Sequence, residues 1–266
     1  MAVPLITLTT DFGTSDPWVA SLKAALLAAQ PDFRILDITH EVPKHDVAAA
    51  AFALYRCYRD FPIGTIHLCV VDPGVGGIRR PILVVSENHT FIGPDNGVFS
   101  YIYERDTVYR VVHINADHYF RRPVSDTFHA RDVFAPIAGQ LSKGFDPTRF
   151  GEVVTDFVRV AVPLDSIVGD ALVKGEVCVV DRFGNLVTNI HHQTLESLAE
   201  KTGKATFKVL IAGHEIPILS GGYAQETPLF ALMGAYGFLE ISCNQRSAAE
   251  ALGISGRGKE VGVMPE

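Results

Sequence analysis

The sequence predicts an α/β domain built on a mostly parallel sheet, followed by a small all-β domain of barrel-like form. Three observations carry this expectation. Through residues 1–163, short β-prone runs alternate with helical stretches, the signature of a layered α/β sheet. Through residues 172–263, short β-prone runs follow one another closely, the pattern of a small antiparallel barrel or sandwich. The apolar runs of the first region also end in loops rich in Asp, Gly and Pro, and strand ends are where open α/β sheets take their ligands.

The first strand is Ile6 to Thr9. A helix over Pro17 to Ala29 follows, with Asp16 at its cap position, Pro17 in its first turn, and Val19, Leu22, Leu26 and Leu27 as an apolar stripe at helical spacing. A cap of this kind contributes about 1 kcal/mol, which accounts for Asp16 without any ligand. Asp11 lies outside any cap position. The alternation continues through a strand at Arg34 to Asp37, a helix at Asp46 to Tyr58, strands at Thr65 to Val71 and Ile82 to Val85, the short run Thr90 to Ile92, and a helix at Val133 to Leu141. A linker around Val162 to Ala171 leads into β-prone runs at Lys174 to Val180, Leu186 to Ile190, Ala205 to Ile211, Glu215 to Leu219 and Phe238 to Cys243.

At 266 residues and 47% hydrophobic, the chain can bury a large core in one or two domains. A net charge of -7 with no Lys/Arg run argues against a nucleic-acid partner, yet does not hinder a cationic small substrate. Cys57, Cys69, Cys178 and Cys243 are widely spaced and form no Cys-x-x-Cys pair, as expected for core thiols in a reducing cytoplasm. Among the ten histidines no pair has the spacing of two ligands on one helix face, so no metal is expected. No basic, apolar leader precedes Leu5 and no apolar run approaches the ~18 residues of a membrane span, so the sequence predicts a cytoplasmic protein without membrane contact.

The loops at strand ends hold the candidate chemistry. Asp72-Pro73-Gly74-Val75-Gly76-Gly77-Ile78-Arg79-Arg80 sets a carboxylate and a guanidinium where a buried strand ends, in a backbone that turns sharply and approaches a ligand closely. Taken alone it is also an ordinary turn. Pro94-Asp95-Asn96-Gly97 contains a turn dipeptide, and Asp181-Arg182-Phe183-Gly184-Asn185 has the form of a hairpin with Gly184 in the turn. His129, between Phe128 and the Arg131-Asp132 pair, stands just before a helix, where a histidine often only caps or packs.

Six segments in order resemble one family: Thr9-Thr10-Asp11-Phe12-Gly13, Asp37-Ile38-Thr39-His40, Val71-Asp72-Pro73-Gly74-Val75-Gly76, Pro94-Asp95-Asn96-Gly97, Thr127-Phe128-His129-Ala130-Arg131-Asp132 and Asp181-Arg182-Phe183-Gly184-Asn185. The chain is similar, from Leu8 to about Leu252, to the S-adenosylmethionine hydroxide adenosyltransferases, hydrolases that release adenosine and are related to the fluorinase and chlorinase. The resemblance implies hydrolysis of S-adenosylmethionine by water at the ribose C5' carbon, with no cofactor beyond the substrate. It also implies a homotrimer, with substrate between the N-terminal domain of one subunit and the C-terminal domain of the next.

By the same resemblance, Asp72, Arg79 and His129 form the catalytic trio. Asp72 would accept a hydrogen bond from the attacking water, Arg79 would set a cation beside that carboxylate, and His129 would orient the water or pass its proton outward. Arg80 is the rival for the role of Arg79; adjacent residues of extended chain face opposite sides, so only one should face the site, and the family's spacing from Asp72 favours Arg79. Asp11 would bind the ribose diol, Asp16 and Asp181 the methionine ammonium with Asn185 beside them, and the main chain near Cys243 and Asn244 the adenine edge. Glu240, Asn96, Phe128 and Phe183 complete the implied substrate set.

Departures from the family pattern bear on the reaction. Halogenases carry tyrosine at the place of Asp72 and serine at that of Ala130; a carboxylate repels halide and alanine removes a hydroxyl donor, so both changes favour water. Trp18 stands where smaller or tyrosine side chains are common, and Ala235 replaces a serine that would contact methionine. The alternatives are a 5'-halo-5'-deoxyadenosine synthase and a non-catalytic S-adenosylmethionine or adenosine sensor, which would have no need of the trio.

Overall fold

A computed structural model describes residues 3–225 and 227–266. They form two compact units, one ending at Val162 and the other starting at Pro163.

The N-terminal unit runs β1 (Leu5–Thr10), α1 (Trp18–Ala29), β2 (Arg34–Thr39), α2 (Val47–Cys57), β3 (Ile66–Val70), β4 (Pro81–Ser86), β5 (Thr90–Pro94), α3 (Ser100–Arg105), β6 (Val108–Ile114), α4 (Ala135–Ser142) and β7 (Gly151–Val154). Its sheet has the order β2-β1-β3-β5-β4-β6-β7. The first four strands are parallel, whereas β4, β6 and β7 pair antiparallel. The antiparallel turn at β4 has a simple cause: only Glu87, Asn88 and His89 connect it to β5, and a parallel return needs roughly a dozen residues or more.

Alternate residues of the buried central strand β3 feed two cores. Leu68 and Val70 pack with Leu22 and Leu26 of α1 and Ile137 of α4. Cys69 faces the other way and packs with Leu54 of α2 and Ile102 of α3. Both faces of the sheet are thereby covered, and the strand ends are left as the place for polar loops.

Helix α1 begins at Trp18 with Pro17 in the cap position and no side-chain cap bond, so Asp16 lies outside the helix and does not cap it. Its apolar stripe is narrower than the spacing predicts, because Leu22, Ala25 and Leu26 are buried while Leu27 is exposed. Asp46 does cap α2, accepting from the Ala49 N–H at 2.9 Å. The predicted helix over Val133 to Leu141 opens instead with a π-helical turn, Ala130–Phe134, before α4. Pro136 has no N–H to offer the Asp132 carbonyl, which accepts from the Arg121 N–H at 2.9 Å instead.

The C-terminal unit contains β8 (Ser166–Val168), β9 (Leu172–Val180), β10 (Leu186–His191), α5 (His192–Thr202), β11 (Phe207–Ile211), β12 (His214–Pro217), β13 (Leu229–Met233), β14 (Phe238–Cys243), α6 (Ala248–Ala251) and β15 (Glu260–Pro265). The strand order is β12-β11-β15-β9-β10-β14-β13, with β8 also on β9. A single bridge between Ile218 and Ala231 joins the two ends, giving a nearly closed barrel filled by residues such as Val177, Leu186, Ile211, Leu239 and Val263. The segment read as a linker thus contributes β8. Among the described residues no helix is long and apolar enough to cross a membrane.

Candidate active site

Asp72 lies just beyond β3, and Arg79 returns to it after the Gly-rich loop. The guanidinium grips the carboxylate as a fork, Nε donating to Oδ1 at 2.9 Å and Nη2 to Oδ2. The same Nη2 lies 2.8 Å from Nδ1 of His129. Both partners of the ion pair have side chains less than a tenth exposed, where a forked, charge-assisted pair is well shielded from water. Arg80 points elsewhere, to Asp95 and Asp156, so of the two arginines it is Arg79 that pairs with Asp72.

This geometry fixes the protonation of His129. A guanidinium nitrogen can only donate, so Nδ1 must be the acceptor and the ring proton sits on Nε2, an assignment that follows from the hydrogen-bond network. Burial, with the Arg79 cation added, holds the imidazole below histidine's usual 6.5, so it stays neutral at pH 7. His129 therefore presents an N–H donor, and Asp72 is the acceptor beside it.

Two supports hold the trio in place. Gly76 has a φ of +76°, and a Cβ there would fall 2.3 Å from the Asp126 carbonyl oxygen, so only glycine lets the Asp72 loop press against the loop leading to His129. Asp132, fully buried, accepts from Arg131 Nε and Nη2 at 2.7 and 2.8 Å, from Arg121 Nη1 at 3.1 Å and from the Ser125 N–H at 3.0 Å. These bonds tie both ends of the segment that carries Phe128 and His129.

Asp72 and His129 line a cavity of about 320 Å³ together with Asp11, Asp16, Phe12, Trp18, Phe128 and Ala130. Asp11 follows β1, and its Oδ2 accepts from the His45 N–H at 2.9 Å. Lys44 and His45 line the cavity as well, and the residue-level reading missed them. They occupy the loop after β2, the same strand-end position that singled out Asp11 and Asp72, and that position is their signal in the sequence. His45 has a φ of +65°, uncommon for a residue with a side chain.

A second cavity, about 820 Å³, lies in the C-terminal unit and is lined by Asp181, Phe183, Asn185, Cys243 and Asn244, with Tyr223 and Arg246. Asp181 organises the β9–β10 turn: Oδ1 accepts from the N–H groups of Phe183 and Asn185, and Oδ2 from the Asn185 side chain at 2.9 Å. Glu240 is buried behind this cavity and accepts from the Tyr223 hydroxyl at 2.7 Å. Asn96 lines neither cavity. Its amide donates to the Val71 carbonyl at 2.9 Å and accepts from the Val98 N–H, which braces the end of β3 just before Asp72.

Comparison with known proteins gives a consistent picture. The family model of the SAM hydroxide adenosyltransferase N-terminal domain matches residues 6–151, and that of the C-terminal domain matches residues 175–261. An (R)-S-adenosyl-L-methionine hydrolase of Thermus thermophilus is 34% identical over 92% of this chain and 93% of its own. A hydrolase of the same name from Methanocaldococcus jannaschii is 30% identical over 94% and 92%. A fluorinase of an Actinoplanes species is more distant, 26% identical over 73% of this chain and 74% of its own. Among solved structures, an uncharacterised conserved protein of Thermotoga maritima superposes with a TM-score of 0.89 at 32% identity, covering 97% of this chain and 99% of that one.

Proposed function

The chain belongs to the SAM hydroxide adenosyltransferase family, and on that premise we propose that it hydrolyses S-adenosyl-L-methionine at C5', releasing adenosine and L-methionine. The observation that carries this reading is the Asp72–Arg79–His129 geometry at the cavity wall. Water attacks C5' opposite the sulfur; the new C–O bond forms as the C–S bond breaks, and its electron pair neutralises the sulfonium. Asp72 accepts the proton that the water gives up, and the His129 Nε2–H holds the water oxygen in line. Arg79 is a positioning residue, fixing the carboxylate and the imidazole tautomer at once. The sulfonium is already a good leaving group, so the chemistry needs no cofactor or metal.

Asp11 takes the ribose diol, with two acceptor oxygens for two hydroxyls. Asp16, free of any capping duty, and Asp181 with Asn185 take the methionine ammonium; the main chain at Cys243 and Asn244 takes the adenine. Phe128 packs beside the reacting end and Phe183 beside the C-terminal cavity, whereas Asn96 and Glu240 act from behind. The assembly we propose is a homotrimer, the N-terminal unit of one copy meeting the C-terminal unit of the next. Cys57, Cys69, Cys178 and Cys243 form no disulfide among the described residues, which suits a cytoplasmic setting.

The test is incubation with each sulfonium epimer of S-adenosylmethionine in oxygen-18 water, with and without chloride, followed by mass spectrometry. The relatives' names point to the (R) epimer as the better substrate. Labelled adenosine plus methionine in both buffers is the expected result; a 5'-chloronucleoside would overturn it in favour of a halogenase, and bound but unchanged substrate in favour of a sensor.

A further inference from the structure

We propose that Trp18 recognises the sulfonium charge of the substrate with its indole face, and that it separates S-adenosylmethionine from the neutral thioether S-adenosylhomocysteine. This rests on reading the cavity as an S-adenosylmethionine site. The cavity wall combines carboxylates with aromatic rings. Asp72 is neutralised by Arg79, but Asp11 and Asp16 form no ion pair among the described residues. Lys44 lines the cavity as well, and against this one cation the two carboxylates leave a field that favours a cationic ligand. A sulfonium has no N–H to give them, so a carboxylate can attract it but cannot fix it by hydrogen bonds. An aromatic face can, through its quadrupole and through contact with the groups on sulfur.

The rings differ in their freedom to do this. Phe128 is buried, carries the Arg131 guanidinium 5.1 Å from its centroid, and meets Phe12 edge-on at 5.9 Å. Trp18 meets Phe128 at 5.0 Å and 85°, an edge-to-face contact that braces the indole. It nevertheless stays 45% exposed while lining the cavity. Among the described residues no arginine stacks on it. It is thus an aromatic surface braced by Phe128 and carrying no stacked arginine, beside carboxylates that form no ion pair.

The contact also has a direction along the reaction. Sulfur carries its charge in the substrate and loses it as the C–S bond breaks, so the indole stabilises the bound substrate more than the transition state. Removing it raises KM without lowering kcat.

The experiment compares wild type, Trp18→Phe and Trp18→Leu, measuring kcat and KM for S-adenosylmethionine and the inhibition constant of S-adenosylhomocysteine. Trp18→Leu is expected to raise KM roughly 5- to 30-fold, with kcat held within about threefold and the inhibition constant within about twofold; Trp18→Phe falls between. An equal rise in KM and inhibition constant would overturn the proposal, because Trp18 would then be a contact of shape alone; so would no change in either. Titration calorimetry with the same two compounds reads the charge preference without turnover. A wild type that binds but does not turn over would sink the hydrolase reading, while loss of the preference in Trp18→Leu would still support this one. If the leucine variant fails to fold, the phenylalanine variant and its graded effect decide.

Discussion

The two cavities hold their charged groups in opposite ways. In the N-terminal unit, Asp72 and Arg79 are shielded from water and locked to His129, so charge is placed before any ligand arrives. In the C-terminal unit, the carboxylate of Asp181 is bound by its own turn, and the aromatic residues Phe183 and Tyr223 stand half exposed or more. Preorganised charge acts on a transition state at little reorganisation cost, whereas an exposed, turn-based wall can only bind. The difference teaches where chemistry and where affinity should reside, and substitutions in each cavity can break that division.

The largest effect is expected from Asp72→Asn. An amide keeps the shape but cannot take up a proton, and general-base loss costs about 10²–10⁴ in rate, so kcat should fall about 10³-fold with substrate affinity little changed. Single-turnover rates and titration calorimetry check both halves; comparable losses of kcat and affinity would erase the division. Gly76→Ala comes next. The added methyl meets the Asp126 carbonyl, forcing apart the loops of Asp72 and His129, and a displacement of about 1 Å costs on the order of 10² in kcat.

A pH profile sharpens the same point without a mutation. The imidazole titrates below its usual value, and protonation at Nδ1 would set an N–H against the Arg79 N–H groups. Activity should therefore stay level as pH falls through 6.5 and decline only in more acid solution. A wild-type limb above 6.5 would contradict it. In the C-terminal cavity, Asp181→Asn keeps the Oδ1 acceptor for the turn while removing charge and the Oδ2 acceptor of the Asn185 amide, and should raise KM about 10-fold with kcat nearly unchanged.

How much of this was legible beforehand follows from where the physics is local. Strands, helices and the motif loops are encoded by periodicity and turn chemistry, so β3 and the loop after it could be read directly. Antiparallel β4 could not be read from its own residues, because the pairing is decided by the length of the link to β5. The π turn at Ala130 was hidden for a similar reason: Pro136 removes a donor, but the partner that rescues the Asp132 carbonyl is Arg121, which lies outside the helix. Alternation along the chain left Arg79 and Arg80 as rivals, and only Asp95 and Asp156 show why Arg80 turns away. Lys44 and His45 were missed although they obey the strand-end rule, since the sequence signals favoured carboxylates.

The smallest expected effect separates two aspartates at helix starts. Asp16 and Asp46 each precede a helix by a residue or two, and the sequence points to Asp16 as the cap while placing Asp46 inside its helix. Only Asp46 accepts a bond from its helix, so Asp46→Ala should lower stability by about 1 kcal/mol and leave KM alone. Asp16 makes no cap bond and lines the cavity, so Asp16→Ala should leave the melting temperature unchanged while raising KM several-fold. The two outcomes are read from thermal melts and initial rates on the same samples. A stability loss in Asp16→Ala would return that residue to the helix, and with it would go the claim that the N-terminal cavity keeps an uncommitted carboxylate for its ligand.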